Sequence, residues 1–208
     1  MLTIKDLIPN ISEVVPYTFE EHKSSLQAFE NVLERMLSSI PSQKKPEIVH
    51  MLGIPGSGKS TYYRQHRADF ASYLLLDFDR IMEAMDGYQK DIQTIGNVEA
   101  FNKWQIPARV AGYELLKRAI EAKKNIFFDH GGTPMCHREL LANVKLYGYT
   151  TKMVCVPCEV DVALQRVKAR ELITHRHTPP QMIIDRSVLI EKNLPFYQNL
   201  VDVFETAE

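Results

Sequence analysis

A surplus of charge of either sign is what the chain most plainly lacks. Its 208 residues carry 25 Lys and Arg against 26 Asp and Glu, a formal net charge of -1. No overall basic field exists to hold a nucleic-acid backbone or an anionic membrane surface, so nucleic acid is not the expected partner. Long apolar runs are missing too. None approaches the roughly 18 consecutive residues of a membrane-spanning helix, and Asp6 and Pro9 interrupt the start, where a secretory signal needs an unbroken apolar core. The expectation is a cytoplasmic protein without a membrane partner. Three cysteines, Cys136, Cys155 and Cys158, cannot form a disulfide framework in a chain long enough to bury its own core. Cys155 and Cys158 have the spacing of a redox pair or of half a zinc site, and His175 and His177 follow. A second cysteine pair is absent, however, and the histidine spacing is too short for a zinc finger. Cys155 therefore reads as a buried strand residue and Cys158 as a loop residue. No internal repeat is visible. The 45% apolar and 25% charged residues match an ordinary folded domain.

Two regions follow from the pattern. Residues 1–45 read as an N-terminal helical extension: Thr18 and Glu21 fit a capping box, and Leu26, Phe29, Leu33, Met36, Leu37 and Ile40 recur at helical spacing. Pro41 ends that stretch. Residues 46–208 alternate short apolar runs with amphipathic stretches, the pattern of a parallel sheet covered by helices on both faces. The expected strands are 48–52, 73–76, 125–128, 151–156 and a weaker 200–204. The expected helices are 59–70, 107–123, 135–147, 160–171 and 180–192, with Pro107 in a first turn and Gly148 just past an end. The fold class is thus α/β, a parallel sheet of about five strands, and the glycines and lysine of Gly53 to Ser60 directly after the first strand make it a P-loop NTPase-type sheet.

Directly after the first apolar run stand Gly53, Ile54, Pro55, Gly56, Ser57, Gly58, Lys59, Ser60 and Thr61. Two glycines five apart followed by Lys and Ser satisfy the phosphate-loop pattern. Glycines let backbone N–H groups converge on phosphate oxygens, and the helix that follows turns the positive end of its dipole to the same anion. Lys59 is expected to reach the β- and γ-phosphates of ATP, and the Ser60 hydroxyl to ligate Mg²⁺. A guanine-reading Asn-Lys-x-Asp is lacking; the nearest approach, at Asn102 and Lys103, has no aspartate. The small chain favours a kinase acting on a small-molecule hydroxyl, because phosphoryl transfer needs mainly positioning, cations and one carboxylate.

The second strand runs into Asp77, Phe78 and Asp79, and the third into Asp129, His130, Gly131, Gly132 and Thr133. Ligands of an open parallel sheet bind beyond the carboxyl ends of its strands. In an extended segment Asp77 and Asp79 share a side, and either could orient and deprotonate an acceptor hydroxyl, while a helix cap is the alternative for Asp79. Asp129 suits a Mg²⁺ or substrate partner, and His130 a hydrogen-bonding or direct substrate role. Arg166, Arg170 and Arg176 fall where a lid would carry charge to the transferring group.

Together these residues resemble the zeta-toxin family of small P-loop kinases, from about Ile48 to Phe204. The family's loop is similar to Gly53 to Thr61, and its acid-x-acid segment to Asp77, Phe78 and Asp79. The resemblance implies that Asp79 is the catalytic base, that Glu114 helps hold the acceptor, and that Arg170 and Arg176 grip the nucleotide phosphates. Asp129 to Thr133 match the family's acid-Gly-Thr only loosely. The resemblance further implies phosphorylation of a nucleotide sugar such as UDP-N-acetylglucosamine, and an antitoxin-like protein partner. A kinase of another metabolite or an antibiotic is an alternative. So is an ATP-binding interaction protein without turnover that docks a partner through residues 18–40. A polynucleotide-end kinase is disfavoured by the near-neutral charge.

Overall fold

The computed structural model describes residues 1–174 and 178–207. Its elements in chain order are α1 (Ile4–Leu7), α2 (Lys23–Leu26), α3 (Glu30–Ser38), β1 (Glu47–Leu52), α4 (Lys59–Gln65), β2 (Tyr73–Leu76), α5 (Phe78–Glu83) and α6 (Asp86–Ile95). There follow α7 (Asn97–Glu121), β3 (Asn125–Gly131), α8 (Cys136–Asn143), β4 (Thr150–Cys155), α9 (Val160–Thr174), α10 (Pro180–Leu200) and β5 (Val203–Thr206). The five strands form one sheet in the order β2-β3-β1-β4-β5, and every pairing is parallel. All carboxyl ends therefore open at one edge, with β1 in the middle.

Strand periodicity splits the core between two faces. Ile48, Leu52, Leu74, Leu76, Ile126, Phe128 and Met153 pack in one cluster beneath α7 and α8. The residues between them, Val49, Met51, Phe127 and Val154, pack on the other face with Phe70 and the tyrosines of α4. Burial of both faces is why the strands read as continuous apolar runs rather than as alternating ones. Residues 1–45 extend the first cluster. Leu7, Ile8, Leu26, Phe29 and Leu33 are fully buried within it, and Gln43 N–H donates to the Lys123 carbonyl beside β3 at 2.7 Å.

Several expected boundaries move. The single helix over 18–40 is broken into α2, a 3-10 turn and α3. At Thr18 and Glu21 only half of the box forms: the Glu21 carboxylate accepts from the Thr18 N–H at 2.5 Å and from its hydroxyl at 2.9 Å, which closes a turn rather than starting a helix. Pro107 lies inside α7 instead of starting it, since ten residues ahead of it continue the apolar face that packs on α5 and α6; α6 itself is an addition. β3 runs on past Phe128 through Gly131, and β5 begins later than expected.

Candidate active site

Phosphate-loop residues connect β1 to α4 as the motif requires. Gly56 has φ +86°, and a Cβ there would stand 2.7 Å from the Ala163 carbonyl oxygen of α9, so only glycine lets the loop pass under that helix. The Lys59 ammonium donates to the carbonyls of Gly53 at 2.9 Å and Ile54 at 3.0 Å, which holds it across the mouth of the loop. The Ser57 hydroxyl is buried inside the loop with no hydrogen-bond partner among the described residues. A buried orphan hydroxyl beside a lysine and a glycine cradle fits a phosphate group. The Ser60 hydroxyl lies 3.4 Å from a carboxylate oxygen of Asp129. Among the described residues no group of three or more His, Cys, Asp or Glu side chains could hold a metal ion. One hydroxyl and one carboxylate fit Mg²⁺ nonetheless, because that ion takes few protein ligands and completes its shell with phosphate and water.

A single cleft of about 760 Å³ gathers the loop from Pro55 to Thr61 with Asp77, Asp79, Asp129, His130, Arg166 and Arg170. Asp79 differs from the extended geometry expected of it, because the chain turns into α5 at Phe78. Asp77 is the cap of that helix, its carboxylate accepting from the Asp79 N–H at 3.0 Å, and Asp79 occupies the first turn. Helix formation rather than strand alternation brings both acids to the cleft.

Asp129 and His130 reach it by another device. His50 of β1 pairs with Phe128 and Leu52 pairs with Gly131, so Asp129 and His130 together oppose Met51 alone. Such a bulge re-aims side chains, and here two successive residues line one cleft. Behind His130 lies a buried polar row. Tyr113 Oη is 2.8 Å from His137 Nε2, His137 Nδ1 is 2.8 Å from His50 Nε2, and His50 Nδ1 is 2.9 Å from the Met51 carbonyl. The carbonyl can only accept, so with neutral rings every proton in the row points the same way, from Tyr113 towards Met51. Burial pushes His50 down to about 4. Burial, joined by the neighbouring histidines and Arg109, also holds His137 well below the ordinary range.

On α9, Arg166 donates to the Gly56 and Ser57 carbonyls at 3.4 Å each. Arg170 donates to the Thr178 hydroxyl at 3.0 Å. Arg176, His175 and His177 lie outside the described residues. Glu114 does not line the cleft. It is buried on the side of α7 covered by the N-terminal segment, 2.9 Å from Lys117 and 2.7 Å from Arg118, and Arg118 in turn grips Glu30 at 2.7 Å. Cys155 is buried as expected and Cys158 half-buried. Sequence reasoning missed Phe101, Gln105, Arg109 and Arg186, which also line the cleft; the four-residue steps from Phe101 to Gln105 to Arg109 put those three on one face of α7, and no sequence signal marked Arg186. No described helix is long and apolar enough to cross a membrane.

A family model described as an AAA domain (AAA_33) matches residues 48–186. No curated protein matches the chain. Among solved structures, a chain of the PezAT chromosomal toxin-antitoxin system of Streptococcus pneumoniae is 17% identical. The match covers 92% of this chain and 78% of that one, with a TM-score of 0.68. The AvrRxo1-ORF1:-ORF2 complex is 12% identical over 88% of this chain and 63% of the other, with a TM-score of 0.64. A structure of AvrRxo1-ORF1:-ORF2 with ATP matches at 12% identity over 86% of this chain and 57% of that one, with a TM-score of 0.60. At these identities the likeness is one of fold, and it is the fold expected from the zeta-toxin resemblance.

Proposed function

We infer function from one premise: the chain belongs to the AAA domain family. On that premise it is an ATP-dependent phosphotransferase that moves the γ-phosphoryl group to a hydroxyl of a small molecule. The observation that carries this reading is the convergence of three strand ends on one cleft. The phosphate loop comes from β1, Asp77 and Asp79 from β2, Asp129 and His130 from the bulged end of β3. A nucleotide-binding module without turnover would need only the first of these.

In the proposed reaction the loop from Gly53 to Thr61 binds the triphosphate, and Lys59 neutralises charge on the β- and γ-phosphates. Ser60 and Asp129 hold Mg²⁺, which when bound supplies further charge neutralisation there. Asp79 accepts the proton of the acceptor hydroxyl as its oxygen bonds to the γ-phosphorus and the bond to the bridging oxygen of ADP breaks. Asp77 fixes the helix that carries Asp79. Arg170, with Arg166 beside it and Arg176 by resemblance, stabilises charge on the transferring group. His130 contacts the acceptor.

The resemblance makes a nucleotide sugar such as UDP-N-acetylglucosamine the first acceptor to test, with other metabolites and antibiotics beside it. Glu114, as placed, does not support an acceptor contact. An antitoxin-like protein partner belongs to the same proposal, supported by the fold shared with a toxin-antitoxin system. So does residence in the cytoplasm, where ATP is available. The test is incubation with γ-labelled ATP and a panel of nucleotide sugars, nucleosides and aminoglycoside-like alcohols. Label should appear in a small molecule with the wild type and not with Lys59→Ala. Failure of well-folded wild type to bind ATP in calorimetry would overturn the assignment.

A further inference from the structure

The bulged end of β3 loses its pairing with β1 after Gly131. Up to that point it is held from the side of the phosphate loop, where the Gly53 N–H donates to the Gly131 carbonyl at 3.3 Å. Gly131 and Gly132 then take φ +89° and +71°, left-handed conformations that glycine adopts freely. A Cβ on Gly131 would stand 3.0 Å from the Gly53 carbonyl oxygen, and one on Gly132 2.6 Å from the Leu52 side chain. The chain therefore leaves the sheet in contact with the root of the phosphate loop. Two glycines in succession have the most backbone freedom to lose, so bonds from outside must fix them.

Two side chains of α10 supply those bonds. Tyr197 Oη donates to the Gly132 carbonyl at 2.9 Å, and Asn193 Nδ2 donates to the Thr133 carbonyl at 3.0 Å. Both side chains are buried, and they stand one helical turn apart. Neither carbonyl receives a turn or loop hydrogen bond from a backbone N–H among the described residues. Arg138 of α8 donates to the Asn193 amide oxygen, which leaves the amide nitrogen turned to Thr133.

The strand end held in this way carries Asp129, whose carboxylate lies 3.4 Å from the Ser60 hydroxyl. Mg²⁺ demands near-ideal octahedral ligand placement, so a small slip of the bulge would be felt there first. Resting on the phosphotransferase reading, we propose that Tyr197 and Asn193 are positioning residues for the metal site. By holding the Gly132 and Thr133 carbonyls they keep the end of β3 where Asp129 faces Ser60, and so set the affinity for Mg²⁺ bound with ATP. Neither residue lines the cleft.

Calorimetric titration of the full chain with ATP, in excess Mg²⁺ and in excess chelator, gives the gain in affinity that the metal confers. Tyr197→Phe keeps the buried ring and removes only the donor. Its gain should fall about 2- to 10-fold, the scale of one neutral hydrogen bond, with metal-free ATP affinity within about twofold of wild type. Asn193→Asp keeps an acceptor for Arg138 and removes the donor to Thr133, and its gain should fall at least as far. Tyr149→Phe shows what a merely structural role does: that buried hydroxyl donates to the Ala119 and Lys124 carbonyls at 3.1 and 2.7 Å, away from the cleft. Its loss should lower Tm and leave the gain at the wild-type value. A wild type without a gain, a gain unchanged in Tyr197→Phe, a fall matched by Tyr149→Phe, or a gain retained in Asp129→Asn overturns the inference while leaving phosphotransfer intact. Well-folded wild type that binds no ATP overturns the phosphotransferase reading and the inference with it.

Discussion

Acidification from about pH 7.5 to 5.5 should weaken this fold steeply, because two imidazoles are sealed in its core. His50 and His137 are fully buried and bridge Tyr113 to the Met51 carbonyl by hydrogen bonds that neutral rings satisfy. Burial brings His50 down to about 4 and takes His137 well below the ordinary range. In the unfolded chain both titrate near 6.5. The unfolded state therefore binds more protons as pH falls through 6.5, and the stability present above that pH is progressively lost down to the folded-state values. Each ring costs about 1.4 kcal/mol over this interval, the pair about 2.7 kcal/mol. His130, shifted in the same direction, brings the total to about 4 kcal/mol. For a chain of this size that is a fall in Tm of about 8 to 16 °C. Carboxylates with lowered values, such as Glu30, Asp91 and Asp202, lose their contribution only below about pH 5, outside the interval. Urea titrations at the two pH values and calorimetric Tm across them measure the effect. His137→Gln should remove about a third of the pH-dependent loss, since an amide keeps a donor and an acceptor without titrating. A Tm change under about 2 °C in the wild type would refute the claim that the row is buried and neutral.

Other expectations concern single residues. Asp79→Asn should lower turnover by about 10² or more with ATP affinity retained, measured by single-turnover kinetics; a rate near wild type would move the base elsewhere. Asp77→Asn should keep the helix cap, whereas Asp77→Ala should cost about 1 kcal/mol of stability in urea unfolding. Glu114→Gln should destabilise by about 3 kcal/mol, because Lys117 loses its buried partner and Arg118 keeps only Glu30. Turnover per folded molecule should be unchanged in that variant, and a raised acceptor KM would instead place Glu114 at the cleft. Gly112→Ala should cost about 1 to 3 kcal/mol by overpacking, since its Cβ would come within 2.2 Å of the Phe78 ring; thermal melts read this directly.

Much of this molecule was legible in the chain itself. The phosphate loop is readable because its function depends on local backbone geometry, which a short run of glycines around Lys59 and Ser60 dictates. The central strands are readable because burial on both faces leaves unbroken apolar runs. Helix ends were less so: Pro107 suits a first turn, yet the apolar face ahead of it packs on α5 and α6 and outweighs the missing N–H. The rest required tertiary structure. Asp79 comes to the cleft through a helix, and Asp129 with His130 through a bulge opposite Met51, a two-against-one pairing that exists only when β1 and β3 meet. Which way α7 turns Arg109 and Glu114 is set by what covers each side of it. The N-terminal segment brings the Val14 carbonyl to one and Glu30, through Arg118, to the neighbourhood of the other. Those partners lie about 90 residues away in sequence, and a local pattern cannot register a contact made at that distance.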